Sequence, residues 1–156
     1  MTMNQIHIVS AERKHIAGLY KMIEELAIYE KAREEMWMSL DDYFDAFAKA
    51  HFRAIVAVED DAVVGTCVFY HSFSTWKGKM LYLEDFVVKE SHRRHGLGHQ
   101  LFNRLLAICK EEDFKLIKWQ VLDWNVPAIK FYEKNGATIE KEWWNGKIIF
   151  KAPVPS

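Results

Sequence analysis

The fold is decided between residues 81 and 100, which read LYLEDFVVKESHRRHGLGHQ. A β-type run over residues 80–89 leads into a turn that contains Gly96 and Gly98. The apolar residues that follow are spaced as on one face of a long helix: Leu97, Leu101, Leu105, Ile108 and Cys109. A further β-type run, residues 116–122, comes after this helix. The order strand, glycine-rich turn, helix, strand predicts a βαβ unit, so this part of the sheet is expected to be parallel with a right-handed crossover.

The glycine-rich turn is suited to binding an anion such as a pyrophosphate. It reads Arg93-Arg94-His95-Gly96-Leu97-Gly98. Glycine lets the backbone approach a ligand closely, and the first amides of a helix have no partner within it, so they can point at an anion. The arginines add positive charge and can hold phosphate oxygens with two parallel hydrogen bonds. A plain basic loop before a helix is the alternative interpretation.

Other phosphate-binding and metal-binding motifs do not match this turn. A nucleotide P-loop ends in Gly-Lys-Ser/Thr and a dinucleotide fingerprint reads Gly-x-Gly-x-x-Gly, and neither is present. His92, His95 and His99 are close in sequence, but no carboxylate or cysteine nearby completes a set of metal ligands. We therefore expect no metal site.

The segment before residue 53 predicts one strand and two helices. Residues 5–9 form a β-type run, and apolar residues between Ile16 and Ala27 recur at intervals of three and four. Ser39 with Asp42 can cap a second helix.

Two hairpins are predicted from turn residues. The β-type runs 54–59 and 63–70 are separated by Asp60-Asp61, which indicates the first hairpin. Pro127 suits the first turn of a short helix that Asn135-Gly136 can end. Residues 137–151 contain Asn145-Gly146, a strong signal for the second hairpin.

Length, charge and cysteine content limit the class of protein. The chain has 156 residues, which predicts a single domain over residues 1–156. Its 21 basic and 22 acidic side chains give a formal net charge of -1, which offers no positive excess for nucleic acid or an anionic membrane. No apolar run approaches the roughly 20 residues that span a bilayer, and residues 1–9 lack the pattern of a secretory signal. We expect a cytoplasmic protein whose Cys67 and Cys109 are reduced core thiols.

The turn and its flanking segments resemble a known superfamily. Arg93, Gly96 and Gly98 meet the pattern R/Q-x-x-G-x-G/A of the GNAT superfamily of acyl-CoA-dependent N-acetyltransferases. The flanking segments LYLEDFVV (residues 81–88) and WNVPAIKFYEKNGA (residues 124–137) are similar to the diamine (spermidine/spermine) acetyltransferase branch.

This resemblance implies a fold and a co-substrate. The implied fold is α/β (α+β), with a mixed, mostly antiparallel central sheet of six or seven strands that is splayed at its centre and flanked by about four helices. The implied co-substrate is acetyl-CoA, with its pantetheine arm in the opening. The backbone groups expected to hold the arm as an added strand are those of Phe86, Val87 and Val88. The residues expected around the pyrophosphate are Arg93, Arg94, His95, Gly96, Leu97, Gly98 and His99. Asn125 is expected to contact the arm, and the resemblance also implies a homodimer.

The reaction requires the removal of a proton from the acceptor. A primary amine has a pKa of about 10, so deprotonation at neutral pH costs on the order of 4 kcal/mol. The resemblance implies that Glu84 is the base, acting through water. Glu84 and Asp85 are adjacent on a predicted strand, where neighbouring side chains lie on opposite faces. A pair of carboxylates at the surface or the sheet edge is the alternative interpretation.

Tyr132 is the candidate acid. Its phenol is protonated at neutral pH and can donate toward the departing sulfur. It lies on the short helix after Asn125 and matches the tyrosine of the resembling family. An aromatic residue on a helix can instead pack in the core.

Acidic residues near the first helix are candidates for recognition of the acceptor. Tyr29-Glu30 resembles a substrate-contacting pair in the polyamine enzymes, and Glu84 and Asp85 are expected to contribute. The other glutamates of this region form a solvated helix face in the alternative interpretation: Glu24, Glu25, Glu34 and Glu35. The expected partner is a small-molecule amine, namely a diamine, a polyamine or a lysine-like amino acid. A protein or aminoglycoside acceptor, or a CoA-binding regulatory module without turnover, are the alternatives.

Overall fold

The structure is a computed structural model, and it describes residues 5–151. The strands are β1 (Ile6–Ser10), β2 (Arg53–Glu59), β3 (Ala62–Ser74), β4 (Gly78–Val88) and β5 (Leu116–Lys118). The helices are α1 (Ile16–Tyr29), α2 (Leu40–Ala48), α3 (Leu97–Glu111) and α4 (Val126–Lys134). Short 3-10 turns lie at Arg13–His15, Arg33–Glu35 and Glu90–His92. The chain divides into two compact units, residues 1–119 with all five strands and α1 to α3, and residues 120–156 with α4.

The first unit contains one mixed sheet in the order β1-β2-β3-β4-β5. The pairs from β1 to β4 are antiparallel, and β4 pairs with β5 in parallel from Met80↔Leu116 to Tyr82↔Lys118. The predicted βαβ unit is therefore confirmed, with α3 as its helix. The hairpin at Asp60-Asp61 is also confirmed, because both residues have positive φ, 49° and 64°, as a two-residue turn of type I′ requires.

Each face of the sheet packs against a helix. On one face, Leu19, Met22 and Ile23 of α1 form a buried cluster with Val68 of β3 and Val87 of β4. We call this the α1 face. On the other, α3 comes so close to β3 that a Cβ on Gly65 would lie 2.9 Å from Cδ1 of Leu101. The apolar periodicity of both helices thus predicted their buried sides correctly.

The N-terminus of α2 has the predicted cap. The Ser39 hydroxyl accepts from the Asp42 amide at 3.2 Å, and the Asp42 carboxylate accepts from the Ser39 amide at 2.8 Å. This reciprocal pair is a capping box.

The prediction of six or seven strands is wrong for residues 5–151, where the sheet has five. The strand predicted over residues 116–122 is shorter, Leu116–Lys118. The hairpin predicted at Asn145-Gly146 does not form, because neither residue takes the positive φ that the turn needs. The flanking residues also bury little apolar surface to stabilise a strand pair, since Trp144 and Phe150 are 93% and 91% exposed.

Two further expectations concern the state of the cysteines and the ability of a helix to span a membrane. Cys67 is buried and Cys109 is half-buried, and both are free cysteines as predicted. In residues 5–151, every helix is too short or too polar to cross a bilayer.

Candidate active site

A bulge in β4 places the two candidate carboxylates. Val68 of β3 pairs with Asp85, and the next residue, Phe69, pairs with Leu83. Glu84 is therefore the extra residue of β4 and has no partner in the β3 ladder. A bulge of this kind bends the strand and changes the direction of the side chains around it.

The bulge brings both carboxylates to the α1 face. Asp85 lies opposite Val68 and two residues from Val87, and both valines belong to the cluster that packs on α1. Tyr70 lies two residues beyond Val68 on the same face, and its hydroxyl faces the Glu84 carboxylate. The expectation that Glu84 and Asp85 point to opposite faces is therefore wrong, because it assumed a regular strand.

Two carboxyl groups, those of Asp85 and Glu30, lie in an environment that favours their neutral forms. Burial, together with the charges of Glu84 and Glu30, raises the pKa of Asp85 to about 7. Burial also raises the pKa of Glu30, the residue directly after α1. A cation placed here would offset the energetic cost of burying these charges and would reduce their mutual repulsion.

Two tyrosine rings, those of Tyr70 and Tyr82, lie near Glu84, and the sequence analysis did not identify them. The rings of Tyr70 and Tyr82 are stacked with centroids 5.2 Å apart. Burial raises the pKa of both phenols, and the charge of Glu84 adds to the effect. The only sequence signal was the cross-strand register of β3 and β4, which pairs Tyr70 with Tyr82. The bulge shifts this register, so the pairing could not be read from alternation alone.

The edge of β4 beside the bulge is open. The parallel pairing with β5 ends at Tyr82, and in residues 5–151 no strand pairs with this edge from Leu83 to Val88. The backbone of Phe86, Val87 and Val88, predicted to hold an extended ligand, lies along it. The ring of Phe86 packs edge-on against Phe102 of α3, 6.0 Å between centroids, which fixes the strand on its other face.

The beginning of α3 has the features of an anion site. Its N-cap is Gly96, with a positive φ of 81°, and no side chain caps the helix. No acidic residue lies in its first turn, whereas α2 has its own cap and two aspartates there. The positive end of the helix dipole therefore lies beside exposed Arg94 and His95, where an anion would be stabilised. Leu97, Gly98 and His99 form the first turn of α3.

Arg93 contacts residues at the ends of β4 and α1. Its Nε donates to the Val88 carbonyl at 2.9 Å, and its guanidinium carbon lies 5.9 Å from the ring centroid of Tyr29. It thus ties the end of β4 to the end of α1. We interpret Arg93 as a support of the turn that also leaves its remaining nitrogens for a ligand.

Two other expectations concern a metal site at the histidines near the turn and the role of Glu24 on α1. His92 contacts Glu59 at 3.1 Å, and no cluster of three or more metal-binding side chains occurs among residues 5–151. Glu24 forms an ion pair with Arg33 at 2.8 Å, with both side chains exposed. This pair agrees with the solvated-face interpretation for Glu24.

The second unit contains the remaining predicted residues. Asn125 caps α4, and its Oδ1 accepts from the Ala128 amide at 3.4 Å. Tyr132 is the buried side chain of α4, 8% exposed, with its ring 5.7 Å from that of Phe131. The helix ends at Lys134 with Asn135 as its C-cap, and Gly136 follows with a φ of 87°, as predicted.

Comparisons with known proteins identify the family. The model of the acetyltransferase (GNAT) family matches residues 16–137, so the chain belongs to this family and the prediction of an acetyltransferase is confirmed. A thialysine N-epsilon-acetyltransferase of Bos taurus is 30% identical over 152 residues, which cover 90% of this chain and 89% of that protein. A human spermidine/spermine N(1)-acetyltransferase-like protein 1 is 28% identical over 87% of this chain and 21% of its own length. The predicted resemblance to the diamine acetyltransferase branch is confirmed by these relatives.

A solved structure supports the fold. An aminoglycoside N-acetyltransferase in complex with CoA has a TM-score of 0.76 and 14% identity, and the match covers 94% of this chain and 97% of that one. At this level of identity the likeness shows the fold alone.

Proposed function

We propose that this chain transfers an acetyl group from acetyl-CoA to a primary amine of a small molecule: a diamine, a polyamine or a lysine-like amino acid. One observation carries the proposal. The bulge at Glu84 puts two carboxylates on one face of β4, next to an edge that is open to an extended ligand. The names of the relatives, which act on thialysine or resemble spermidine/spermine enzymes, support an acceptor with more than one cationic group.

The residues present fit acetyl-CoA. The amides from Gly96 to His99, with Arg94, would hold the pyrophosphate, because no side chain among residues 5–151 caps that helix end. The backbone from Phe86 to Val88 would pair with the pantetheine arm as an added strand. Asn125 would contact the arm through the part of its amide that does not cap α4. The bound thioester supplies an acetyl group that is activated toward amines.

Glu84 removes the proton from the acceptor in this proposal. The acceptor arrives as an ammonium ion, and it must lose a proton before its nitrogen can attack a carbonyl carbon. Glu84 is exposed, so a water molecule can bridge its carboxylate and the ammonium. The proton then moves through that water to Glu84 and on to solvent.

Tyr132 supplies the second proton. Its phenol would donate to the sulfur as the carbon–sulfur bond breaks, and the second proton that the attacking nitrogen loses as the amide forms would restore the phenol. Phe131 packs on the ring of Tyr132 and restricts its rotation. The supporting evidence is the match of the segment around Tyr132 to the family motif within residues 16–137.

Asp85, Glu84, Glu30 and Tyr29 would bind the acceptor. The three carboxylates supply negative charge, and the stacked pair of Tyr70 and Tyr82 presents ring faces to a cation. A second ammonium group of the acceptor would then be held by Asp85 while the first reacts beside Glu84.

A thiol-release assay with acetyl-CoA tests the acceptor class. We expect release of CoA thiol with diamines, polyamines and lysine analogues, and much slower release with monoamines of equal length, which lack the second cation. Release confined to peptides or to aminoglycosides would contradict the proposed acceptor. Binding of CoA without release in any mixture would indicate a regulatory module instead.

Substitutions test the two proton-transfer residues. Glu84→Gln and Tyr132→Phe should each lower kcat by about 10²-fold or more, since general acid or base catalysis contributes roughly that much. The affinity for CoA, measured by calorimetry, should be unchanged in both. Tyr20→Phe is the matched control, because the Tyr20 hydroxyl donates to the Met38 carbonyl at 3.0 Å and has no role in the proposal. Equal kcat values in Tyr132→Phe and Tyr20→Phe would remove Tyr132 as the acid.

Three further expectations stay predictions: a homodimer, a cytoplasmic location and a single domain over residues 1–156. The single domain is supported by the family match, which runs across both compact units.

A further inference from the structure

We infer that Glu59 and His92 are positioning residues for the turn that begins α3, and that they act on the turn through its backbone. Glu59 is the last residue of β2, and His92 is the last residue of the 3-10 turn before α3. The inference rests on the proposed function, which it deepens by naming two residues outside the anion site on which binding of acetyl-CoA depends.

The imidazole of His92 has a hydrogen-bonding partner on each side. Its Nε2 lies 3.1 Å from Oε1 of Glu59, and its Nδ1 lies 2.8 Å from Oγ of Ser91. The side chains of His92 and Glu59 are 19% and 25% exposed. In every other ion pair among residues 5–151, both side chains are at least 37% exposed. The contact between Glu59 and His92 is therefore the one that solvent screens least.

The partners of the ring assign its proton. A carboxylate can only accept, so Nε2 carries the hydrogen that is donated to Glu59. In the neutral ring, Nδ1 then accepts from the Ser91 hydroxyl, and in the protonated ring it donates to the same oxygen, because a hydroxyl can do both. The link between His92 and Glu59 is therefore kept in both protonation states of the ring.

This link holds the segment that enters the turn. The Lys89 amide donates to the Val64 carbonyl of β3 at 2.8 Å, and the His92 amide donates to the Lys89 carbonyl at 2.8 Å. The side chain of His92 adds a tie to β2, at the end of the hairpin that residues 60–61 close. The segment is thus fixed to two neighbouring strands just before the turn.

The turn needs this support because of its backbone conformation. Arg94, two residues after His92, has a φ of 67°. This left-handed conformation is unfavourable for a residue with a Cβ, and it persists where the surrounding structure determines it. If the segment at His92 could move, Arg94 would relax to an ordinary conformation, and the amides that follow would lose their arrangement around Gly96.

Binding of CoA, measured by calorimetry, tests the inference. Glu59→Ala should weaken the affinity about tenfold, the size of one hydrogen bond to a charged group. Glu59→Gln keeps an oxygen that accepts from His92 and should stay within about twofold of the wild type. Both variants remove the negative charge, so their comparison isolates the hydrogen bond. Glu111→Ala is the matched control, because Glu111 pairs with Arg104 at 3.2 Å at the other end of α3.

Steady-state kinetics separate positioning of the turn from a general loss of structure. In Glu59→Ala, the KM for acetyl-CoA should rise by the same factor of about ten, while kcat and the KM for a diamine stay at the wild-type values.

Hydrogen exchange of the free protein supplies a readout that needs no ligand. The amides of His92, Arg93 and Gln100 donate to carbonyls three or four residues earlier, on both sides of the turn. In Glu59→Ala they should exchange about tenfold faster, because the segment opens more often once the link is lost. Their exchange should be unchanged in Glu59→Gln and in Glu111→Ala.

Three outcomes would overturn the inference: an unchanged affinity for CoA in Glu59→Ala, a loss that Glu59→Gln does not recover, or exchange rates that stay at the wild-type values. If the wild type binds no CoA, the proposed co-substrate fails, whereas the exchange rates still decide whether Glu59 and His92 hold the turn.

Discussion

Replacement of Asp85 by asparagine should make the protein more stable at neutral and alkaline pH, although it removes a residue of the proposed acceptor site. Asparagine has nearly the same shape and carries no charge. In the wild type, the charge on Asp85 is opposed by burial and by Glu84 and Glu30. The substitution removes all three effects together, because each acts on the charged form only.

The size of the effect follows from the pKa values of the folded and unfolded states. The pKa of Asp85 rises from 3.8 in a flexible chain to about 7 in the folded protein, a difference of about three units. At 1.36 kcal/mol per unit this is about 4 kcal/mol. The folded state holds the proton more tightly, so wild-type stability is unaffected below pH 3.8 and falls as the pH rises from there to about 7. Above pH 7 the whole cost of about 4 kcal/mol remains.

Urea unfolding at pH 4, 5, 6, 7 and 8 measures this difference. The free energy of unfolding of Asp85→Asn minus that of the wild type should be small at pH 4 and grow by about 1.4 kcal/mol per pH unit between pH 5 and pH 7. Asp123→Asn is the matched control, since Asp123 is exposed and should give a difference near zero at every pH. The expected difference arises because the charge on Asp85 lowers stability. A difference that does not change with pH, or a loss of stability in Asp85→Asn at pH 8, would refute this explanation.

Three other substitutions and the reactivity of the two thiols have predictable results. Ser39→Ala removes the side-chain half of the capping box on α2 and should lower the free energy of unfolding by about 1 kcal/mol, measured in urea, without changing the affinity for CoA. Gly65→Ala places a Cβ 2.9 Å from Cδ1 of Leu101, so it should cost about 1 to 3 kcal/mol of stability in the same assay, and a measured loss below 0.5 kcal/mol would contradict this packing. Gly96→Ala meets no atom within 4 Å but forces a φ of 81° on alanine, so calorimetry should show weaker CoA binding and urea unfolding a loss of about 1 to 2 kcal/mol. Cys67 is fully buried and its pKa is raised by burial, so in a thiol-reagent assay it should react only as fast as the protein unfolds, whereas half-buried Cys109 should react in the native state.

The sequence was sufficient where a local rule controls the structure. Ser39 and Asp42 cap α2, and Asp60-Asp61 turns a hairpin, because both features depend on residues within four positions of one another. The proposed anion site at Gly96 also depends on local features, one glycine and one helix end. The preference of Asn145-Gly146 for a tight turn is equally local, but the predicted hairpin did not form. A stable hairpin also needs flanking strands that bury apolar surface when they pair.

The candidate acceptor site could be predicted only in part, because its geometry depends on register. Glu84 and Asp85 were identified from the resemblance, but their common face results from a single extra residue in β4. Alternation along a strand cannot reveal a bulge, since the bulge is visible only against the partner strand.

The acids of the α1 face explain why the proposed binding of an amine should depend on pH. With a midpoint near 7, Asp85 is about half protonated at pH 7 when no cation is present. An ammonium group binds the ionised form, so binding must release about half a proton per site at pH 7, more at pH 6 and almost none at pH 8. In this proposal, the charge that destabilises the free protein becomes favourable when the acceptor supplies a cation next to Asp85. A carboxyl that lowers stability in this position is therefore consistent with a site shaped for a positively charged ligand.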